Sequence, residues 1–216
     1  RETLGVETEI RAVLRDLRAG DVPLDEVEIV YTTENPYQSL LCDLVQRFEI
    51  PATFAEGTPV DTTRVGQALI GFYRWMGSGF SADEWVWLCR SGLVQFGEDD
   101  PTPQAVATLV RQARIGEGRA RYGEAFVRMK QRILEGDPDG DDAFRGVKIS
   151  EIEAVDRVLG QVFELVPEGT SVALADVIGA GMRFLDRFVG HAEGAREDAA
   201  RAALVGFLEA VQHSEF

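Results

Sequence analysis

Residues 48–69 read FEIPATFAEGTPVDTTRVGQAL, and this stretch decides the fold. Ile50-Pro51-Ala52-Thr53-Phe54 is a short extended segment, because proline fixes its own φ and biases the preceding residue away from helix. Glu56-Gly57 supplies a turn. Beyond Asp61-Thr62-Thr63 the apolar spacing becomes helical and stays so. Upstream, VEIVYTT at Val27 to Thr33 is β-branched and aromatic and reads as a buried strand. Between the two extended runs, Asn35-Pro36 starts a helix with Pro at its first position. The apolar face of that helix is Leu40, Leu41, Leu44, Val45 and Phe48. Two strands joined by a helix imply a parallel pair with a right-handed crossover. Another helix precedes them from Gly5 to Ala19, with Glu7 and Glu9 in its first turn and Gly20 after its last. The expected fold class is therefore α/β followed by all-α. A small parallel βαβ portion covers 1–58 and a multi-helix subdomain covers 59–216, with the boundary near Glu56 to Val60.

The chain has 216 residues, 45% of them hydrophobic, enough for a substantial core. Its net charge of −15 repels phosphate backbones and anionic lipid. Basic residues are 20 Arg and 2 Lys, a bias that fits a GC-rich coding sequence or salt adaptation. Cys42 in LLCDLV and Cys89 in WVWLCR sit in apolar helical surroundings and read as buried, reduced thiols of a cytoplasmic protein. No apolar run is long enough to span a membrane, and no signal peptide is evident. The chain begins at Arg1 rather than Met and closes on AVQHSEF without a Gly or Pro stop, so it is expected to be an excised fragment.

Catalytic chemistry finds little support. The loop Tyr31 to Pro36 lacks Gly and Lys and carries Glu34 where a phosphate would sit, and neither GxxxxGK[ST] nor GxGxxG occurs. The acidic run Asp137 to Asp142 lacks the Gly and Glu that a calcium loop needs at its sixth and twelfth positions, and reads as a solvated turn. His191 and His213 stand 22 residues apart without a second ligand nearby. Ser81 and Ser150 read as helix caps, with Ser81 and Glu84 forming a capping box. Trp75, Trp85 and Trp87, with Phe72, Tyr73 and Phe80, read as a packed helix–helix core. No catalytic residue, cofactor, metal ligand or small-molecule substrate is expected in this chain. One segment reverses the charge. From Arg111 to Arg132 there are seven basic residues against Glu117 and Glu124. Arg114, Arg119, Arg121 and Arg128 are its candidate phosphate contacts.

Four segments carry a resemblance: ETEIRAVLRDLRAG, VPLDEVEIVYTTENPYQSLLCDLVQRFEIPATFAEG, TPVDTTRVGQALIGFYRWM and FSADEWVWLCRSGLV. Together, over Glu7 to Val94, they resemble UvrD-like superfamily 1 helicases, and more closely the helicase-like subunits of AddB type. The resemblance implies that residues 1–58 are part of a split motor-like domain and that 59–216 are a helical 2B-like insertion. It implies a parent helicase–nuclease or its inactive helicase-like subunit, acting in double-strand-break repair. The expected partners are DNA and a partner helicase–nuclease subunit. Tyr31 is followed by Thr32 where the family usually has Arg, and the ATPase motifs, the iron–sulfur cysteines and the nuclease residues do not lie in this segment. An acidic helical protein-interaction scaffold without DNA contact is the alternative.

Overall fold

Apolar residues spaced three and four apart dominate the chain, and helix is what they produce. The computed structural model describes residues 5–20, 22–33, 36–55, 57, 59–135, 146–169, 171–190 and 195–213. Among these residues every regular element is helical: α1 (Val6–Ala19), α2 (Tyr37–Arg47), α3 (Arg64–Gly77), α4 (Ala82–Arg90), α5 (Pro103–Gln112), α6 (Arg119–Glu135), α7 (Ile149–Phe163), α8 (Leu174–Phe188) and α9 (Ala195–Gln212). Short 3₁₀ turns occur at Leu24–Glu26 and Val60–Thr62. The chain divides into two compact units, Arg1–Thr63 and Arg64–Phe216.

In the first unit α1 and α2 pack through Ile10, Leu14, Leu41, Leu44 and Val45, with Tyr31, Ile50 and Phe54 closing the edges of the cluster. This corrects the α/β expectation. Neither 27–33 nor 50–54 pairs into a sheet, and no strand occurs among the described residues. Val27 to Thr33 is not buried either: Val30 is 82% exposed and Ile29 37%. The physical reason is that β-propensity measures how well a side chain fits a pleated, half-buried surface. Among the described residues the cluster is built on a helix pair, and it takes up Tyr31 alone from that run. The helicase-like, UvrD-like and exonuclease readings fall with the sheet, because a motor domain of that kind is built on one.

The second unit is a multi-helix assembly. α3 lies against α4, α8 and α9, α4 against α5, and α6 against α7. Its centre is aromatic. Phe72 and Phe184 stack at 4.2 Å, and Trp75 meets Trp85, Phe80 and Phe163 at 5.0 to 5.1 Å. α3 and α8 approach closely because Gly181 has no side chain. A Cβ there would run into the Tyr73 hydroxyl and come within 2.8 Å of Leu69. Two cations fasten the helix ends. Arg64 donates to the Gly92 carbonyl at 2.6 Å, while Arg201 donates to Val189 at 2.9 Å and to Leu185, covering carbonyls at the C-terminal end of α8.

Helix ends depart from the sequence reading in three places. Ser81 precedes α4, but its side chain makes no capping hydrogen bond. Its own N–H instead donates to the Ser78 hydroxyl oxygen at 3.2 Å. α7 starts one residue before Ser150, and Glu151 receives the Lys148 N–H at 3.2 Å. Pro36 caps α2 from outside rather than opening it. Thr102 caps α5, accepting from the Ala105 N–H at 3.3 Å, with Pro103 at the first helical position. Cys42 and Cys89 are both buried, one in each unit. No helix among the described residues is long and apolar enough to cross a membrane. The acidic run Asp137 to Asp142 and His191 lie outside the described residues.

Candidate functional site

The charge-reversed segment centres on α6. Tyr122, Ala125, Phe126 and Met129 form its buried side, and the turn of the helix places the cations around the remainder. The four candidate arginines do not converge. Arg114 lies between α5 and α6 in the left-handed region, φ 50°, where its N–H reaches the Arg111 carbonyl at 3.1 Å. It occupies the position after a helix end that glycine most often fills, so its backbone terminates α5. Arg119 is half-buried. Its guanidinium stands 5.3 Å from the centre of the Phe163 ring and 3.6 Å from Glu168. Arg121 is exposed, and its side chain lies back along the turn before α6. A Cβ on Gly116 would sit 3.8 Å from its guanidinium, and one on Gly118 3.7 Å from its stem. Arg128 reaches back one turn to Glu124 at 3.8 Å. Arg121 and Arg128, seven residues apart, share a side of the helix. Arg119 leaves in another direction, towards the core.

α6 also carries a pattern that is apolar and not charged. Ala120, Val127 and Leu134 recur every seven residues, and Gly123 falls between the first two. On a helix of 3.6 residues per turn these positions share one stripe. All four are exposed, Val127 at 51% and Leu134 at 73%. The spacing was present in the sequence. What was missing was knowledge of which side of α6 faces the core.

Groups with catalytic chemistry are either buried or not gathered together. Burial pushes the Tyr122 phenol up to about 12, and burial also raises the Cys89 thiol, so both stay protonated at neutral pH. The Tyr122 oxygen accepts from Trp75 Nε1 at 3.3 Å and donates to the Phe80 carbonyl at 3.1 Å, a structural role. Tyr37 is raised by its hydrogen bond to Glu9, at 2.7 Å. Among the described residues no cluster of three or more His, Cys, Asp or Glu could hold a metal ion.

Comparison with family models, curated proteins and solved structures found no match. The site is therefore read from its own chemistry. It offers exposed apolar side chains on long helices, bordered by cations whose ends are partly engaged within the protein. The exposed large apolar side chains also include Phe207 on α9 at 64% and Trp87 on α4 at 45%, which corrects the expectation that Trp87 belongs to the packed core: it points off the buried side of α4 formed by Trp85, Val86, Leu88 and Cys89. The Trp87 ring lies across Gly71, and Arg74 stands 5.7 Å from its centre.

Proposed function

We propose that this chain is an acidic, helical protein-interaction scaffold that does not contact DNA. The observation that carries the reading is the pair of exposed apolar side chains one heptad apart on α6, Val127 and Leu134. Burying such side chains against a protein removes apolar surface from water, at roughly 25 cal/mol per Å². A phosphate backbone gives them nothing comparable. Arg119 is engaged with Phe163 and Glu168, and Arg128 with Glu124, so two of the four candidate phosphate contacts already have partners within the protein. The net charge of −15 opposes polyanions throughout. Two buried thiols fit a cytoplasmic setting, where cysteines are kept reduced.

The test is fluorescence anisotropy with a labelled duplex bearing a single-stranded tail, across a salt series starting near 20 mM. The reading expects no saturable binding even at the lowest salt. Binding that weakens steeply with salt, and that is lost when Arg121 and Arg128 become Glu, would overturn it in favour of a DNA contact.

A further inference from the structure

We propose that Val27 to Tyr31 is a docking strand that pairs with an extended basic segment of another protein, an inference that rests on the protein-interaction reading above. Val27 has extended backbone, φ −104° and ψ 128°. From there the burial of the run alternates as a strand's does. Val27 and Tyr31 are half-buried and Ile29 is 37% exposed, whereas Glu28 is exposed and Val30 is 82% exposed. Tyr31 fixes which side faces the α1–α2 cluster, since it packs there and stacks on Tyr37 at 6.3 Å. By alternation Val27 and Ile29 share that side, and Glu28 and Val30 share the outer one. The backbone is unpaired. The Val27 N–H closes the preceding turn on the Leu24 carbonyl at 3.3 Å, but among the described residues the N–H and C=O groups of Glu28, Ile29 and Val30 make no hydrogen bond within the chain. β-Branched side chains held in water on an extended, unpaired backbone are the ingredients of a sheet edge, and a sheet edge takes up a strand.

Charge selects the occupant. Between Ala19 and Gln46 the sequence contains no Arg or Lys, while Asp25, Glu26, Glu28 and Glu34 stand in or beside the run. Asp25, Glu26 and Glu28 are exposed, and among the described residues their carboxylates enter no ion pair. A second copy of this chain would lay the same carboxylates alongside, and like charges facing each other across a strand pair destabilise it. Nucleic acid and anionic membranes meet the same repulsion. A helix has already spent its backbone groups on itself and offers none to Glu28 or Val30. An extended segment with Lys or Arg among β-branched residues answers every demand. Its N–H and C=O groups complete the ladder, its cations face Glu28 and the neighbouring carboxylates, and a β-branched side chain covers Val30.

The probe is a fluorescein-labelled peptide of about seven residues, Val and Thr with Lys interspersed, net charge about +3. One counterpart replaces Lys by Glu. A second is methylated on alternate backbone nitrogens, which keeps the charge and the side chains but cannot complete a ladder. All are titrated with the full chain by anisotropy. The expected result is saturable binding of the Lys peptide with a Kd of about 10–100 μM, and binding at least about tenfold weaker for both counterparts. In its presence the backbone amides of Glu28 to Tyr31 are expected to exchange hydrogen about tenfold more slowly. Val30→Pro removes an N–H that has no partner within the chain and is expected to weaken binding about tenfold or more. Glu26→Lys with Glu28→Lys is expected to weaken it about threefold or more and to flatten its salt dependence. These positions are at the surface, so circular dichroism and the melting temperature should stay at wild-type values. If Val30→Pro disturbs folding, the methylated peptide still decides, because it leaves the protein unaltered. No binding of the Lys peptide, equal binding of either counterpart, or binding untouched by Val30→Pro in a folded chain would overturn the proposal. A dimer in sedimentation equilibrium that Val30→Pro abolishes would overturn it in favour of a second copy of this chain. Failure with the peptide, while the chain still ignores DNA, removes only this inference. Binding to DNA removes the scaffold reading as well.

Discussion

The two units are both helical, yet they are held together in different ways. The first rests on a single helix pair, with aliphatic contacts from Ile10, Leu14, Leu41, Leu44 and Val45. The second is centred on fully buried aromatics, Phe72, Trp75, Trp85, Tyr122, Phe126 and Phe184, contributed by four different helices. Among the described residues of this unit, one shared interface buries little of the run Val27 to Val30. Several helices meeting at one centre leave almost nothing of those aromatics in solvent. The difference teaches that the depth of burial, more than the helical pattern itself, sets how much each unit resists change.

The comparison can be broken most forcefully at Phe184. It stacks on Phe72 and touches Phe188, so Phe184→Ala opens a cavity between α3 and α8. A loss of about 3–5 kcal/mol is expected in urea unfolding. All three tryptophans belong to the second unit, so their fluorescence reports that unit alone. Leu14→Ala in α1 is expected to cost about 2–4 kcal/mol. It should lower the transition followed by α1–α2 hydrogen exchange and leave the tryptophan midpoint in place. Movement of both midpoints together would show that the units unfold as one, contrary to this expectation.

A smaller effect tests whether polar atoms in the aromatic core need their partners. Tyr122→Phe strands Trp75 Nε1 and removes a donor from the Phe80 carbonyl, and is expected to cost about 1–3 kcal/mol. A neutral result would be informative, because Trp85 Nε1, in the same cluster, is already buried without a partner. Tyr122 also gives this unit a high-pH limit. Its folded pKa of about 12 lies above the ordinary tyrosine value of 10.0, so the folded state holds its proton more tightly. Stability from this group is complete below pH 10 and falls as pH rises from 10 towards 12. Tyr122→Phe should flatten that part of the stability–pH curve. The smallest effect is at Arg114. Replacing it by Gly relieves a left-handed backbone and is expected to change stability by less than about 1 kcal/mol, towards greater stability.

The helices were legible because their signal is periodic and local. Leu40 to Phe48 and Phe72 to Trp75 announce their apolar sides at the right spacing. The candidate site was legible only as a charge count. Seven cations between Arg111 and Arg132 are a fact of sequence. That Arg119 turns to Phe163, 44 residues away, is not, because nothing in the local pattern says which distant ring will lie beneath it. The strand expected at 27–33 fails for the same reason. Val27 to Thr33 has the composition of a strand, but a strand exists only where a second segment offers its backbone groups at ladder distance.

By itself, then, the sequence determined a strongly acidic chain, the existence of its helices and the apolar side of most of them, since charge is additive and helical periodicity is written within a few turns. Only the tertiary structure decided that 27–33 stays outside any sheet, that the arginines of α6 part company, and that Val127 and Leu134 are left in solvent. Those outcomes depend on contacts between residues far apart in the chain, whose energies are set by which surfaces meet and not by the pattern on either one.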